Sequence, residues 1–106
     1  MSTPQQIQQF LSSAQLIYNT GDYPCTAILY FKTLFALHDY MLLQKIGYAP
    51  KDHTERFRLL EEYFPDAYKV LDKEFNTYRD TYNNVTQKIT CDRIRGEVLV
   101  AISSYT

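Results

Sequence analysis

Residues 22–47 read DYPCTAILYFKTLFALHDYMLLQKIG, and this stretch decides the fold. Asp22 is a helix-capping residue type, and Pro24 presets the first turn because its fixed φ suits a helix start, where its missing N–H leaves no bond unmade. Gly47 suits the left-handed residue that closes a helix. No other proline or glycine lies between them, so the spacing predicts one long helix running to about Ile46. Ala27, Phe31, Leu34, Phe35 and Leu42 fall on one side of it, and Tyr30 and Leu37 widen that side. A helix apolar over so wide an arc packs against several neighbours, so it is expected at the centre of the domain. Lys32, His38 and Asp39 interrupt the apolar run, which makes it a poor membrane span.

Working outward, Thr3-Pro4-Gln5-Gln6 has the form of a capping box with proline at the first helical position. Ile7, Phe10, Leu11, Ala14, Ile17 and Tyr18 then recur at three- and four-residue steps before Asn19-Thr20-Gly21 ends a first helix. Downstream, Tyr48 to Lys51 form a loop and Asp52-His53-Thr54-Glu55 opens a short helix that buries Phe57, Leu60 and Phe64. That helix stops before Pro65, since proline disfavours helical geometry in the residue preceding it. Pro65 starts a long fourth helix with Ala67, Val70, Leu71, Phe75, Tyr78, Tyr82, Val85 and Ile89 inward. Thr90 to Asp92 offer a break or a new cap, and Ile94, Val98, Leu99, Ile102 and Tyr105 follow at helical spacing. Strict alternation and tight hairpin turns are absent. The expectation is an all-α single domain over residues 1–106, an up-and-down bundle of four to five helices.

Composition narrows the function. Hydrophobic residues make up 45% and charged residues 22% of the chain, which is enough to build a core at this length and excludes the signature of disorder. The net charge of −1 argues against a dedicated duplex-binding protein, whose affinity rests on a strong basic balance. Arg79, Lys88, Arg93 and Arg95 give a mild basic bias toward the C-terminus, which a solvated helix face accounts for. Met1 to Gln9 carries no positive charge, so no secretion signal is read there and a cytoplasmic protein without a membrane association is expected. Cys25 and Cys91 lack metal-ligand spacing and are expected as reduced core thiols.

Most site chemistries lack their residues. The three glycines are isolated, so no phosphate-cradling loop exists, and neither a His-Glu-x-x-His nor a Cys-x-x-Cys pair offers a metal site. No cofactor is expected. His38, on the apolar side of the central helix, reads as a hydrogen-bonded core histidine, and His53 as a capping or loop-ordering residue. The ten tyrosines could stack on bases, but most fall on apolar stripes and read as core. One constellation stands out: Asn76, Arg79, Asn83 and Thr86 line up as a polar stripe beside the apolar face of the fourth helix. Such a stripe can serve a partner helix or an anionic ligand. It can equally be a solvated flank with Arg79 paired to a nearby acid.

Several segments together resemble a known family. The first helix, Gly21-Asp22-Tyr23, the run from Tyr30 to Leu37, Lys45-Ile46-Gly47-Tyr48 and then His53 are similar to the front half of HEPN domains (higher eukaryotes and prokaryotes nucleotide-binding). Tyr78-Arg79-Asp80-Thr81-Tyr82 resembles the arginine-plus-polar signature of that family. The likeness covers nearly the whole chain with motifs of moderate specificity. It implies a HEPN-like bundle and a homodimer. Ribonuclease members of the family pair an arginine and a following polar residue with a histidine a few positions on. The histidine takes the proton of a 2′-hydroxyl and the arginine stabilises the phosphate as charge develops.

Residue by residue, Arg79 matches the arginine and Asp80 the polar position. Where the histidine is expected stand Asn84, Val85 and Thr86, none of which is a general base near neutral pH. The resemblance therefore implies a module that binds a nucleotide, RNA or a nucleotidyltransferase protein partner, with little or no nuclease activity. Two other readings stay open. One is a metal-independent ribonuclease, the toxin of a toxin–antitoxin pair, in which Arg79, Asp80 and Asn84 suffice or a histidine comes from elsewhere. The other is an adaptor bundle with no ligand.

Overall fold

The caps expected around the central helix are present in the computed structural model, which describes residues 4–81 and 86–105. The Asp22 carboxylate accepts the Cys25 N–H at 3.2 Å, and Pro24 lies in the first turn. At the other end Gly47 adopts φ 85°, a left-handed conformation, and its N–H reaches the Leu43 carbonyl at 3.0 Å. A residue with a Cβ would be strained there. Between these caps runs α2, Tyr23–Ile46, preceded by α1, Pro4–Tyr18. Then follow α3, His53–Tyr63, α4, Pro65–Asp80, and α5, Lys88–Tyr105. Five helices form the bundle, with no strand among the described residues. The Thr3 cap lies outside the described residues.

The helix α2 is packed against all four others, and α3 pairs with α4. Its buried residues between Thr26 and Leu42 cover a broad arc rather than one stripe and leave the side of Lys32 to solvent. Tyr30, Phe31, Leu37 and Leu42 are completely buried, joined by Ile7 of α1, Leu59 and Leu60 of α3, Leu71 of α4 and Ile94 and Val98 of α5. Thr26 and Thr33 are buried as well, and each hydroxyl donates to the carbonyl one turn back, Asp22 at 2.7 Å and Leu29 at 2.8 Å. The polar atoms are thereby satisfied without leaving the helix.

The fourth helix is shorter than the periodicity implies. It closes at Asp80, with the Thr81 hydroxyl donating to the Tyr78 carbonyl at 2.6 Å, a local bond that competes with helix continuation. Tyr82 and Val85 lie outside the described residues. Ile89 belongs to α5 and is 75% exposed instead of inward, because α5 buries the stripe of Cys91, Ile94 and Val98 on its other side. Leu99, also expected inward, is exposed. Thr90 to Asp92 are plain helix. Both cysteines are free thiols, but only Cys91 is a core residue, whereas Cys25 is exposed in the first turn of α2.

Among the described residues α4 and α5 stand apart on α2 and are bridged by two ion pairs, Lys73–Glu97 at 2.5 Å and Arg93–Glu74 at 3.0 Å. Glu74 is only 3% exposed, and it accepts two bonds from the Arg93 guanidinium, at 3.1 and 3.0 Å. A buried carboxylate needs that kind of forked partner to offset its desolvation. The paired cation keeps the Glu74 carboxyl below its ordinary range against the opposing effect of burial. Burial and the neighbouring Glu74 push Glu97 the other way.

Candidate functional site

The start of α3 meets the end of α4, and His53, Asn76 and Arg79, three of the polar residues singled out in the sequence, are near that junction. Asp52 sets the geometry: its carboxylate accepts the Glu55 N–H at 2.8 Å, while the Glu55 side chain accepts the Lys51 N–H at 3.3 Å. This reciprocal cap makes His53 the first residue of α3. Capping falls to Asp52, and the His53 ring instead joins an aromatic cluster. Its centroid lies 4.7 Å from Phe35, 5.3 Å from Phe75 and 5.7 Å from Tyr78.

One turn further on, Arg56 is 7% exposed, an unusual burial for a permanent cation. Its Nη1 donates to Asp39 Oδ1 at 2.7 Å and to the Phe35 carbonyl at 3.0 Å, and its guanidinium stacks over the Phe35 ring at 5.0 Å. Its Nε donates to His53 Nδ1 at 3.4 Å. The bond to Nδ1 selects the imidazole tautomer with its proton on Nε2. Burial, and next the Arg56 charge, hold the His53 pKa below its ordinary value, with Asp39 and Asp52 opposing. His53 is thus a neutral ring that offers an N–H and has its acceptor engaged. It can hold an anionic or carbonyl oxygen, but it is poorly set to take up a proton.

Arg79 occupies the last turn of α4, exposed, with its guanidinium 5.7 Å over the Phe75 ring. It also donates to the side-chain Oδ1 of Asn76 one turn back. Among the described residues its partners are therefore an amide and a ring face rather than an acid, and those contacts do not neutralise its charge. The structure brings Arg79 and Asn76 together, and both Arg79 and His53 lie against Phe75. Asp80 is exposed at the helix end. Asn83 and Asn84 lie outside the described residues. Thr86, half-buried in the segment leading into α5, does not continue the α4 helix, so among the described residues the expected stripe is helical at Asn76 and Arg79.

Sequence reasoning missed the Asp39–Arg56 pair. Asp39 lies beside Lys32 at the edge of the buried arc of α2, and its partner comes from another helix, so local spacing does not reveal the pair. No group of histidines, cysteines and carboxylates able to hold a metal occurs among the described residues, and no described helix is long and apolar enough to cross a membrane. Compared with known proteins, the chain matches no protein-family model, and neither a curated protein nor a solved structure is detectably similar to it.

Proposed function

We propose that this chain is a HEPN-type helical module that dimerises and binds RNA or a nucleotide, with little or no nuclease activity, and that a nucleotidyltransferase is the kind of protein it partners. The carrying observation is the pairing on Phe75 of an exposed arginine whose partners are uncharged with a histidine whose acceptor is engaged. An arginine fork recognises phosphate oxygens, and the ring faces nearby can stack on a base. The net charge of −1 fits a modest, local interaction better than wrapping of a duplex.

The ribonuclease reading has one observation in its favour, the arrival of His53 beside the Arg79 cluster from a different helix. Arg56 acts against it, because a base must accept, and the free nitrogen of His53 is the one that donates. The adaptor reading leaves the exposed cation without a task.

A fluorescein-labelled single-stranded RNA, followed by anisotropy at low salt with light scattering on the same samples, tests the proposal. Saturable binding is expected, weakening about tenfold or more in Arg79→Ala, as for loss of a charged hydrogen bond. The scattering mass is expected at twice 12.5 kDa. Equal affinity for Arg79→Ala would remove Arg79 from the site, and a clean monomer at micromolar concentration would remove the dimer.

A further inference from the structure

One polar group against Phe75 has no task in the fold. His53 Nε2 has no hydrogen-bond partner among the described residues, and it is not one of the enclosed polar atoms, so it reaches solvent. Nδ1 of the same ring, by contrast, accepts the Arg56 Nε–H at 3.4 Å. Arg56 has little freedom to release it. Its Nη1 is tied to Asp39 Oδ1 at 2.7 Å and to the Phe35 carbonyl at 3.0 Å, and the residue is buried. A planar guanidinium fixed at Nη1 has the direction of its Nε–H fixed as well. Phe35, Phe75 and Tyr78 pack against the imidazole, and reversing the ring among them would break the Arg56 bond. An unconstrained neutral imidazole moves its proton between two nitrogens, whereas an engaged Nδ1 leaves it on Nε2. His53 is thereby a donor at a fixed atom.

Charge decides which acceptor suits that donor. Arg56 and Asp39 form an ion pair, which leaves Arg79 as the cation beside Phe75. His53 adds an N–H without a charge. Asp52 and Asp80, next to His53 and Arg79 in the chain, are exposed carboxylates. A phosphodiester linkage carries one negative charge and matches a single cation. A terminal phosphate carries about −1.5 to −2 at pH 7, and its excess charge would meet the two carboxylates.

We propose that Arg56, oriented by Asp39, is a positioning residue that fixes His53 as an Nε2–H donor to a phosphodiester oxygen of single-stranded RNA. This role rests on the RNA-binding reading above and narrows its ligand to internal linkages. Around His53 stand Arg56 on its own helix, Asp39 and His38 of α2, Asp52 in the cap and Tyr78 of α4. With Nδ1 engaged, RNA affinity should stay level between pH 8 and pH 6.

The full chain labelled with ¹⁵N-histidine, together with the fluorescein-labelled single-stranded RNA, tests this role. The chain has two histidines, so His53→Phe assigns their signals. Before RNA is added, Nδ1 of His53 should resonate as an acceptor and Nε2 as a protonated donor. When RNA binds, the Nε2 resonance should move. Arg56→Lys keeps a cation for Asp39 but loses the Nε–H. It should shift both resonances toward the tautomer average and make RNA binding tighten from pH 8 to pH 6. His53→Phe keeps an aromatic ring and should weaken RNA about tenfold, as for one hydrogen bond to a charged group. His53→Gln, which also donates from Nε2, should restore most of that loss. Uridine 5′-(methyl phosphate), a diester, should displace the RNA at several-fold lower concentration than uridine 5′-monophosphate.

Thermal midpoints near that of the unmodified protein identify the variants that fold, and the unmodified protein's own resonances decide the tautomer if Arg56→Lys does not. Three results would each overturn the proposal while leaving Arg79-dependent binding in place. They are a protonated Nδ1 in the unmodified protein, unchanged RNA affinity in a folded His53→Phe, and stronger displacement by the monophosphate. A chain that binds no RNA at all would overturn the RNA-binding reading itself, and this role for His53 with it.

Discussion

Phe31→Ala is expected to destabilise the protein by about 3–5 kcal/mol, the range for removing a fully buried aromatic ring. Phe31 is 0% exposed on the face of α2 that α4 covers, its ring 5.2 Å from Tyr78 and 6.2 Å from Phe35. Truncation removes contacts on two helices at once and leaves a cavity that neighbours wedged against each other cannot close. Leu34→Ala, one turn along, should cost about 2–5 kcal/mol. A domain of ordinary stability has only about 5–15 kcal/mol in all, so urea midpoints should fall steeply. Gln5→Ala, on the exposed face of α1, should leave the midpoint within experimental scatter. Equal shifts for Phe31→Ala and Gln5→Ala would contradict the central placement of α2.

The second large effect is acid sensitivity through His38. The folded state holds this histidine at about 3, whereas the unfolded chain protonates it near 6.5. Between those values the unfolded state binds the extra proton, so stability rises with pH across that window and is lost as pH falls below about 6.5. The penalty from this one group amounts to about 2 kcal/mol at pH 5 and about 3 kcal/mol at pH 4. His53, also held low, acts with the same sign. Glu97, held high, acts against it. Thermal midpoints should therefore drop between pH 7 and pH 5, and His38→Leu should remove most of the drop. A wild-type profile as flat as that of His38→Leu would mean that the ring protonates freely within the fold.

The helices were legible because their punctuation is chemical. Asp22 with Pro24, Gly47, Asp52 and Pro65 each act on the backbone locally, and the structure places a helix boundary at every one. The end of α4 was not legible, because Tyr82, Val85 and Ile89 carry the apolar period past it while Thr81 closes the helix with its own hydroxyl. Periodicity cannot tell one helix from two that happen to stay in phase. The exposure of Arg79 beside Asn76 could be read from spacing. The burial of Arg56 and Glu74 could not, because their partners Asp39 and Arg93 come from other helices. The sequence predicts a satisfied core histidine at His38; it is a core residue, but Nδ1 has no partner among the described residues. The sequence suggests a capping or loop-ordering role for His53, but Asp52 makes the cap and only the antiparallel docking of α3 on α4 puts His53 beside Phe75.

The central claim, that Arg79 binds where no base can act, is tested most directly by RNA cleavage in the presence of EDTA. The unmodified protein is expected to bind a single-stranded RNA and leave it intact. Asn84→His supplies the proton acceptor that the sequence lacks, a contribution worth roughly 10²–10⁴-fold in rate. It should create metal-independent cleavage, which Arg79→Ala in the same background abolishes. Robust cleavage by the unmodified protein, lost in His53→Ala, would contradict the account and make His53 the base.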